Sequence, residues 1–150
     1  MDTVVVFKID EQPLALPVSQ VQRVIWAVEI TAMPGQSDAM LGMINVEGAI
    51  IPVVNIRHLL ALPNRELDLD DHIVMIKAGD RSISFIVDKV EGVLHYDESE
   101  ISTMEAKHGA FASGVLKLDG ELIVVLNAEQ LLHESVAKKE GMGVLAMAAH

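Results

Sequence analysis

Cysteine is absent from these 150 residues, which excludes disulfide scaffolds, thiolate metal centres and cysteine nucleophiles. Aromatic side chains are nearly as scarce: Phe7, Trp26, Phe85, Tyr96 and Phe111 amount to 3% of the chain. That is too little for a base-stacking platform or an aromatic sugar-binding surface. Basic residues are outnumbered, with 11 Lys and Arg against 22 Asp and Glu and a net charge of −11. The largest basic cluster is Lys138-Lys139, so neither nucleic acid nor an anionic membrane finds the cationic face it requires. Apolar stretches such as 49–54 and 122–126 fall far short of the ~20 residues of a membrane span. The opening Met1-Asp2-Thr3-Val4 lacks the basic-then-apolar order of a secretory leader, so a cytoplasmic location is expected.

What is present is aliphatic. Apolar residues make up 51% of the chain and the mean hydropathy is +0.36, enough to bury the core of one domain or of two small lobes. Val and Ile fall in short runs bounded by turn residues, the signature of strands. Strands are expected at 3–9, 13–17, 43–46, 49–54, 72–78, 81–87, 112–118 and 121–126. Asp119-Gly120 suits a type I′ hairpin, in which both central residues need positive φ. Asp10-Glu11-Gln12 and Ala78-Gly79-Asp80 look like further hairpin tips. Asn55 and Asn127 are placed to N-cap short helices, the second with Gln130 at the capping-box position.

The chain also repeats itself. A shift of 69 brings Val5 onto Val74, Leu14 onto Ile83, Val18 onto Val87, Val21 onto Val90 and Val24 onto Val93. A shift of 71 overlays Ile30-Thr31-Ala32-Met33 on Ile101-Ser102-Thr103-Met104. At 72, Gly42 meets Gly114, Gly48 meets Gly120, and Asn55 meets Asn127. Two copies of one β-rich unit follow, a lobe at about 1–62 and another at about 70–134, joined at 63–69, with exchange of strands between the lobes left open. Units of this size bury little core alone, so the lobes should pack together and leave a groove between them.

Chemistry is sparse. The six histidines form no H-x-H or H-x-x-x-H pair, so metal-ligand spacing is lacking. Glu129 with His133 reads as a solvated helix face. Asp68-Leu69-Asp70-Asp71 lacks the glycine and twelfth-position Glu of a calcium loop and reads as a charged linker. Asp97, Glu98 and Glu100 form an acidic loop, and Ser113-Gly114 has no nucleophile signature. Gly141-Met142-Gly143 follows a helix rather than a strand, so it is no dinucleotide loop. No catalytic, cofactor or metal site is expected. Trp26 is either packed at a lobe seam or displayed as a partner anchor. The stretch 138–150 is read as a C-terminal tail, loose or docked, after a single domain at 1–137.

The run Asn45-Val46-Glu47-Gly48-Ala49-Ile50-Ile51-Pro52-Val53-Val54-Asn55-Ile56-Arg57 resembles the N-L-R-G-x-I-V-P-V-I-D-L-R signature of CheW-like domains. Leu14-Ala15-Leu16-Pro17 with Val21-Gln22-Arg23-Val24 is similar to the family's Y-A-L-P-I…V-x-E-V. Met33-Pro34-Gly35 with Leu41-Gly42-Met43-Ile44, Ile86-Val87-Asp88-Lys89-Val90 and 122–132 resemble further family segments. The resemblance implies two five-stranded SH3-like β-barrels packed around a common core, with no catalysis and no cofactor. It also implies an adaptor between the regulatory domain of a CheA-type histidine kinase and the cytoplasmic tip of a chemoreceptor.

Glu47 stands where the family has Arg, Arg23 where it usually has Glu, and Asn55 where it has Asp. The resemblance places the first two close together, so an ion pair of reversed polarity is expected. Partner contacts are expected at Arg23, Ile25, Val28, Val46 and Glu47, and across the groove at Val87, Val90 and Val93, where plain core packing is the competing reading. A two-lobed barrel holding another protein or a small apolar ligand remains the alternative. An enzyme would need a pocket gathering Asp88 with His72 or His95, which the spacing does not supply.

Overall fold

The computed structural model describes residues 2–103 and 112–135; the tail expected at 138–150 lies outside them. The strands are β1 (Asp2–Ile9), β2 (Gln12–Pro17), β3 (Val21–Trp26), β4 (Met40–Val46), β5 (Ala49–Val54) and β6 (His72–Ala78). They continue with β7 (Arg81–Val87), β8 (Lys89–Tyr96), β9 (Ile101–Thr103), β10 (Ala112–Leu118) and β11 (Glu121–Leu126). A one-turn helix, α1 (Ile56–Leu59), follows β5, and a helix over 128–135, α2, follows β11. Asn55 Oδ1 accepts the His58 amide at 3.2 Å and Asn127 Oδ1 the Gln130 amide at 3.0 Å, so both expected N-caps form. Among the described residues no helix is long and apolar enough to cross a membrane.

Two-residue loops close the β1–β2, β4–β5, β6–β7 and β10–β11 hairpins. Asp119 and Gly120 have φ of 49° and 79°, as the type I′ reading requires. Gly48 and Gly120, paired by the sequence repeat, therefore do the same work at equivalent turns.

One sheet has the order β8-β1-β2-β11-β10-β9 and the other β3-β6-β7-β5-β4. The first has six strands, not five, because β9 extends its edge. Neither sheet follows the halves of the sequence. The β1–β2 hairpin lies beside β11 and β8, while β6–β7, its counterpart in the repeat, lies beside β3 and β5. The two repeat units have exchanged their first hairpins.

β3, β8 and β9 were not among the expected strands. β3 is bulged at Gln22, between the pairs Val21–Ile76 and Arg23–Met75. β8 is bulged at Glu91, between Val90–Phe7 and Gly92–Val6. A bulge inserts one residue and shifts the inside–outside alternation on which strand reading depends. Gln22 and Glu91 are 69 residues apart in the sequence, so the repeat extends to the bulges. β9 is only three residues long.

Gly42 and Gly114 mark a second equivalent pair. A Cβ at Gly42 (φ 149°) would stand 2.2 Å from the Thr31 carbonyl oxygen, and one at Gly114 2.9 Å from that of Ser102. Thr31 and Ser102 are themselves matched in the repeat. In both units a crossing backbone leaves room for hydrogen only.

The main core lies between the sheets. Phe7, Ile9, Leu14 and Leu16 meet Val74, Ile76, Ile83, Phe85 and Val87, closed over by Ile56, Ala128 and Leu131. Phe7 and Phe85 pack with ring centroids 5.4 Å apart. Each sheet also curls around a smaller cluster of its own. Val4, Ala15, Tyr96, Leu116, Ile123 and Val125 fill one; Ile44, Ile51, Val53, Ile73 and Met75 fill the other. Central strands therefore bury both faces: β6 is buried continuously over Ile73–Ile76 and β7 over Ile83–Phe85, rather than alternating.

Candidate functional site

β3 and β4 are the opposite edges of the five-stranded sheet, yet its curl brings their ends together. Backbone bonds of 2.9 Å join Thr31 to Met43 in both directions. Beyond them Arg23 Nη2 reaches Glu47 Oε1 at 3.3 Å. The expected ion pair thus forms, with Arg on β3 and Glu at the β4–β5 tip. The tip itself is held by Asn45 Oδ1, which accepts the Gly48 amide at 2.9 Å. Hydrogen bonding and charge attraction from Arg23 keep the Glu47 carboxyl below its ordinary pKa. Both side chains are exposed, so the pair marks a surface rather than a core.

Ile25 and Val46 lie beneath it, half-buried against the Ile44–Met75 cluster. Val28 is exposed just past β3. Arg23, Ile25, Val46 and Glu47 thus lie at one end of this sheet, and Val28 follows β3 by two residues. The other three do not join them. Val87 is 0% exposed and belongs to the main core, which removes it from the partner-facing set. Val90 is half-buried against the same core. Val93 is 60% exposed on the other sheet, where it lines a concavity of about 300 Å³ with Val6, Leu94, Leu118 and Ile123.

One cluster was not legible in advance. Arg57 of α1 donates to both Asp10 oxygens at 2.8 and 2.9 Å and to Asp88 Oδ1 at 3.0 Å. Arg65 donates to Asp88 Oδ1 at 2.8 Å and to Asp71 Oδ1 at 2.7 Å. Asp88 Oδ2 also accepts the Asp10 amide at 2.9 Å, which steadies a hairpin tip where two non-glycine residues hold positive φ. Burial works against the Asp88 carboxylate, but the Asp10 amide and the Arg65 and Arg57 guanidiniums outweigh it and lower its pKa. Hydrogen bonding to Asp10 raises Arg57, and hydrogen bonding to Asp71 raises Arg65, each against burial. The linker is therefore not simply solvated: Asp71 is buried and paired.

The groups an enzyme would have used are engaged separately. Asp88 is in this network, His95 Nδ1 pairs with Thr3 Oγ1 at 2.9 Å, and His72 stacks on Trp26. Among the described residues no three His, Asp or Glu are gathered as a metal-binding group.

The chain is 35% identical to Chemotaxis protein CheW of Thermotoga maritima over 138 residues, 91% of this chain and 90% of that one. With Chemotaxis protein CheW of Bacillus subtilis the identity is 26%, over 87% and 86% of the two chains. The crystal structure of scaffolding protein TtCheW from Thermoanaerobacter tengcongensis superposes with a TM-score of 0.79 at 28% identity, covering 87% of this chain and 86% of that one. The family model for the CheW-like domain matches residues 3–136, and the chain belongs to the CheW-like family.

Proposed function

We infer that this chain is a non-enzymatic cytoplasmic adaptor coupling chemoreceptors to a CheA-type histidine kinase. The observation that carries the reading is the nearly full-length match to CheW proteins, one of them described as a scaffolding protein. A match of 23% identity to Chemotaxis protein CheA of Bacillus subtilis, covering 87% of this chain but 19% of that one, supports the kinase as partner. A kinase segment resembling this chain can offer surfaces of the same kind. The Thr31–Met43 bridge supports reading the curled sheets as SH3-like barrels.

Arg23, Ile25, Val28, Val46 and Glu47 form the kinase-facing surface. An apolar centre beside an exposed ion pair fits a reversible interface, where apolar contact supplies affinity and charge supplies choice of partner. Val93, backed by Val90, contributes to the receptor contact. Titrating the isotope-labelled chain with the regulatory domain of its cognate CheA tests this reading. Amide shifts should concentrate at 23–28 and 46–47. A folded spectrum without shifts at high kinase-domain concentration contradicts it and favours another partner for the same fold.

A further inference from the structure

Trp26 follows Ile25, whose side chain enters the curled five-stranded sheet, so it points to the opposite face, the side of Val24 and Val74. It therefore lies away from the Arg23–Glu47 pair. Past the end of the main core it is 64% exposed. Its ring stacks on His72 with centroids 4.2 Å apart. Beside it runs the end of the linker, tied on by the Ala27 amide, which donates to the Asp71 carbonyl at 2.9 Å.

That linker displays Leu69, 88% exposed, on a rigid turn. The Asp71 amide donates to the Asp68 carbonyl at 3.0 Å, the Asp68 amide to Asp71 Oδ2 at 2.8 Å, and the Asp70 amide to Asp68 Oδ1 at 2.8 Å. A leucine held in water by a turn with these three bonds is preorganised for contact, because less entropy is left to lose on binding. Trp26 and Leu69 thus supply exposed apolar surface. Glu29, Asp68 and Asp70 are exposed around them. The nearby cation, Arg65, is neutralised by Asp71 and Asp88, so the rim is negative.

We propose that Trp26 and Leu69 form a second docking surface, separate from the Arg23–Glu47 face, for a partner-protein segment carrying apolar side chains flanked by Lys or Arg. The acidic rim selects the flanking charge, and the tryptophan and leucine are the anchors. The proposal does not depend on which kinase or receptor the other face binds.

Trp26 is the only tryptophan, so its fluorescence reports from the surface itself. The full chain is titrated with an amphipathic Leu/Lys peptide and, separately, with its Leu/Glu counterpart. The Leu/Lys peptide should shift Trp26 emission to the blue, less so as salt rises. Leu69→Ala should weaken that binding by about tenfold with the thermal midpoint unchanged, as expected for an exposed anchor. Leu122→Ala, equally apolar and exposed on the other sheet, should leave it intact. Absence of a shift, equal binding of the Leu/Glu peptide, or indifference to Leu69→Ala overturns the proposal. A blue shift that grows with protein concentration alone also overturns it, and assigns the surface to a second copy of the chain.

Discussion

Arg23 and Glu47 stand 24 residues apart and meet because a sheet curls its two edges together. Their opposite signs, each the reverse of the family pattern, are satisfied by one contact. Arg23→Glu should lower affinity for the kinase regulatory domain by about tenfold, and adding Glu47→Arg should recover most of it. Titration calorimetry on the four proteins of that cycle checks this, and purely additive losses exclude direct coupling. The pair was legible only through the family motif, since nothing local links the two positions. Gly42 carries a different constraint, a crossing backbone. Gly42→Ala should destabilise by about 3 kcal/mol in urea melts. At Gly48 the added Cβ meets nothing within 4 Å, and Gly48→Ala should cost only about 1 kcal/mol for its positive φ.

Hairpins were readable because a two-residue turn and its flanking strands are contiguous in sequence. Strands β3 and β8 were not, because bulges at Gln22 and Glu91 disturb their alternation. The linker network was hidden for another reason. Asp10, Arg57, the linker residues Arg65 and Asp71, and Asp88 lie on four separate stretches of chain, and only the folded sheets bring them together. Two of them, Arg57 and Asp88, belong to the segments that resemble the family, and here they bond to each other inside the molecule. The network therefore fastens α1, the linker and the β1–β2 tip to the start of β8. Because the Asp88 carboxyl pKa is lowered on folding, its stabilisation is fully present above the unfolded value of about 4 and is lost as pH falls through the folded value. Urea midpoints between pH 7 and pH 2 should show Asp88→Asn less stable than the parent by a constant margin at neutral pH. That margin should narrow as the solution becomes more acidic than pH 4. A margin independent of pH would show that the asparagine costs packing rather than charge.

At the level of the whole molecule, the repeat shows two similar units and leaves their exchange open, since sequence similarity cannot say which copy a hairpin joins. With β1–β2 completing the sheet of β8–β11, and β6–β7 completing that of β3–β5, neither half holds a finished sheet. Residues 1–69 and 70–150 should each be unfolded alone by circular dichroism and should recover strand signal when mixed. A folded isolated half contradicts the exchange. The same architecture joins the surfaces of both sheets through one shared core, which suits an adaptor between two partners. Reconstitution tests the coupling of receptor to kinase by this chain. CheA autophosphorylation is measured with receptor cytoplasmic fragments, with and without this chain, and with its Arg23→Glu form. Receptor-dependent kinase activity should appear only when the chain is added and should fall with Arg23→Glu. Kinase activity that responds to receptor equally with and without the folded chain would contradict the account.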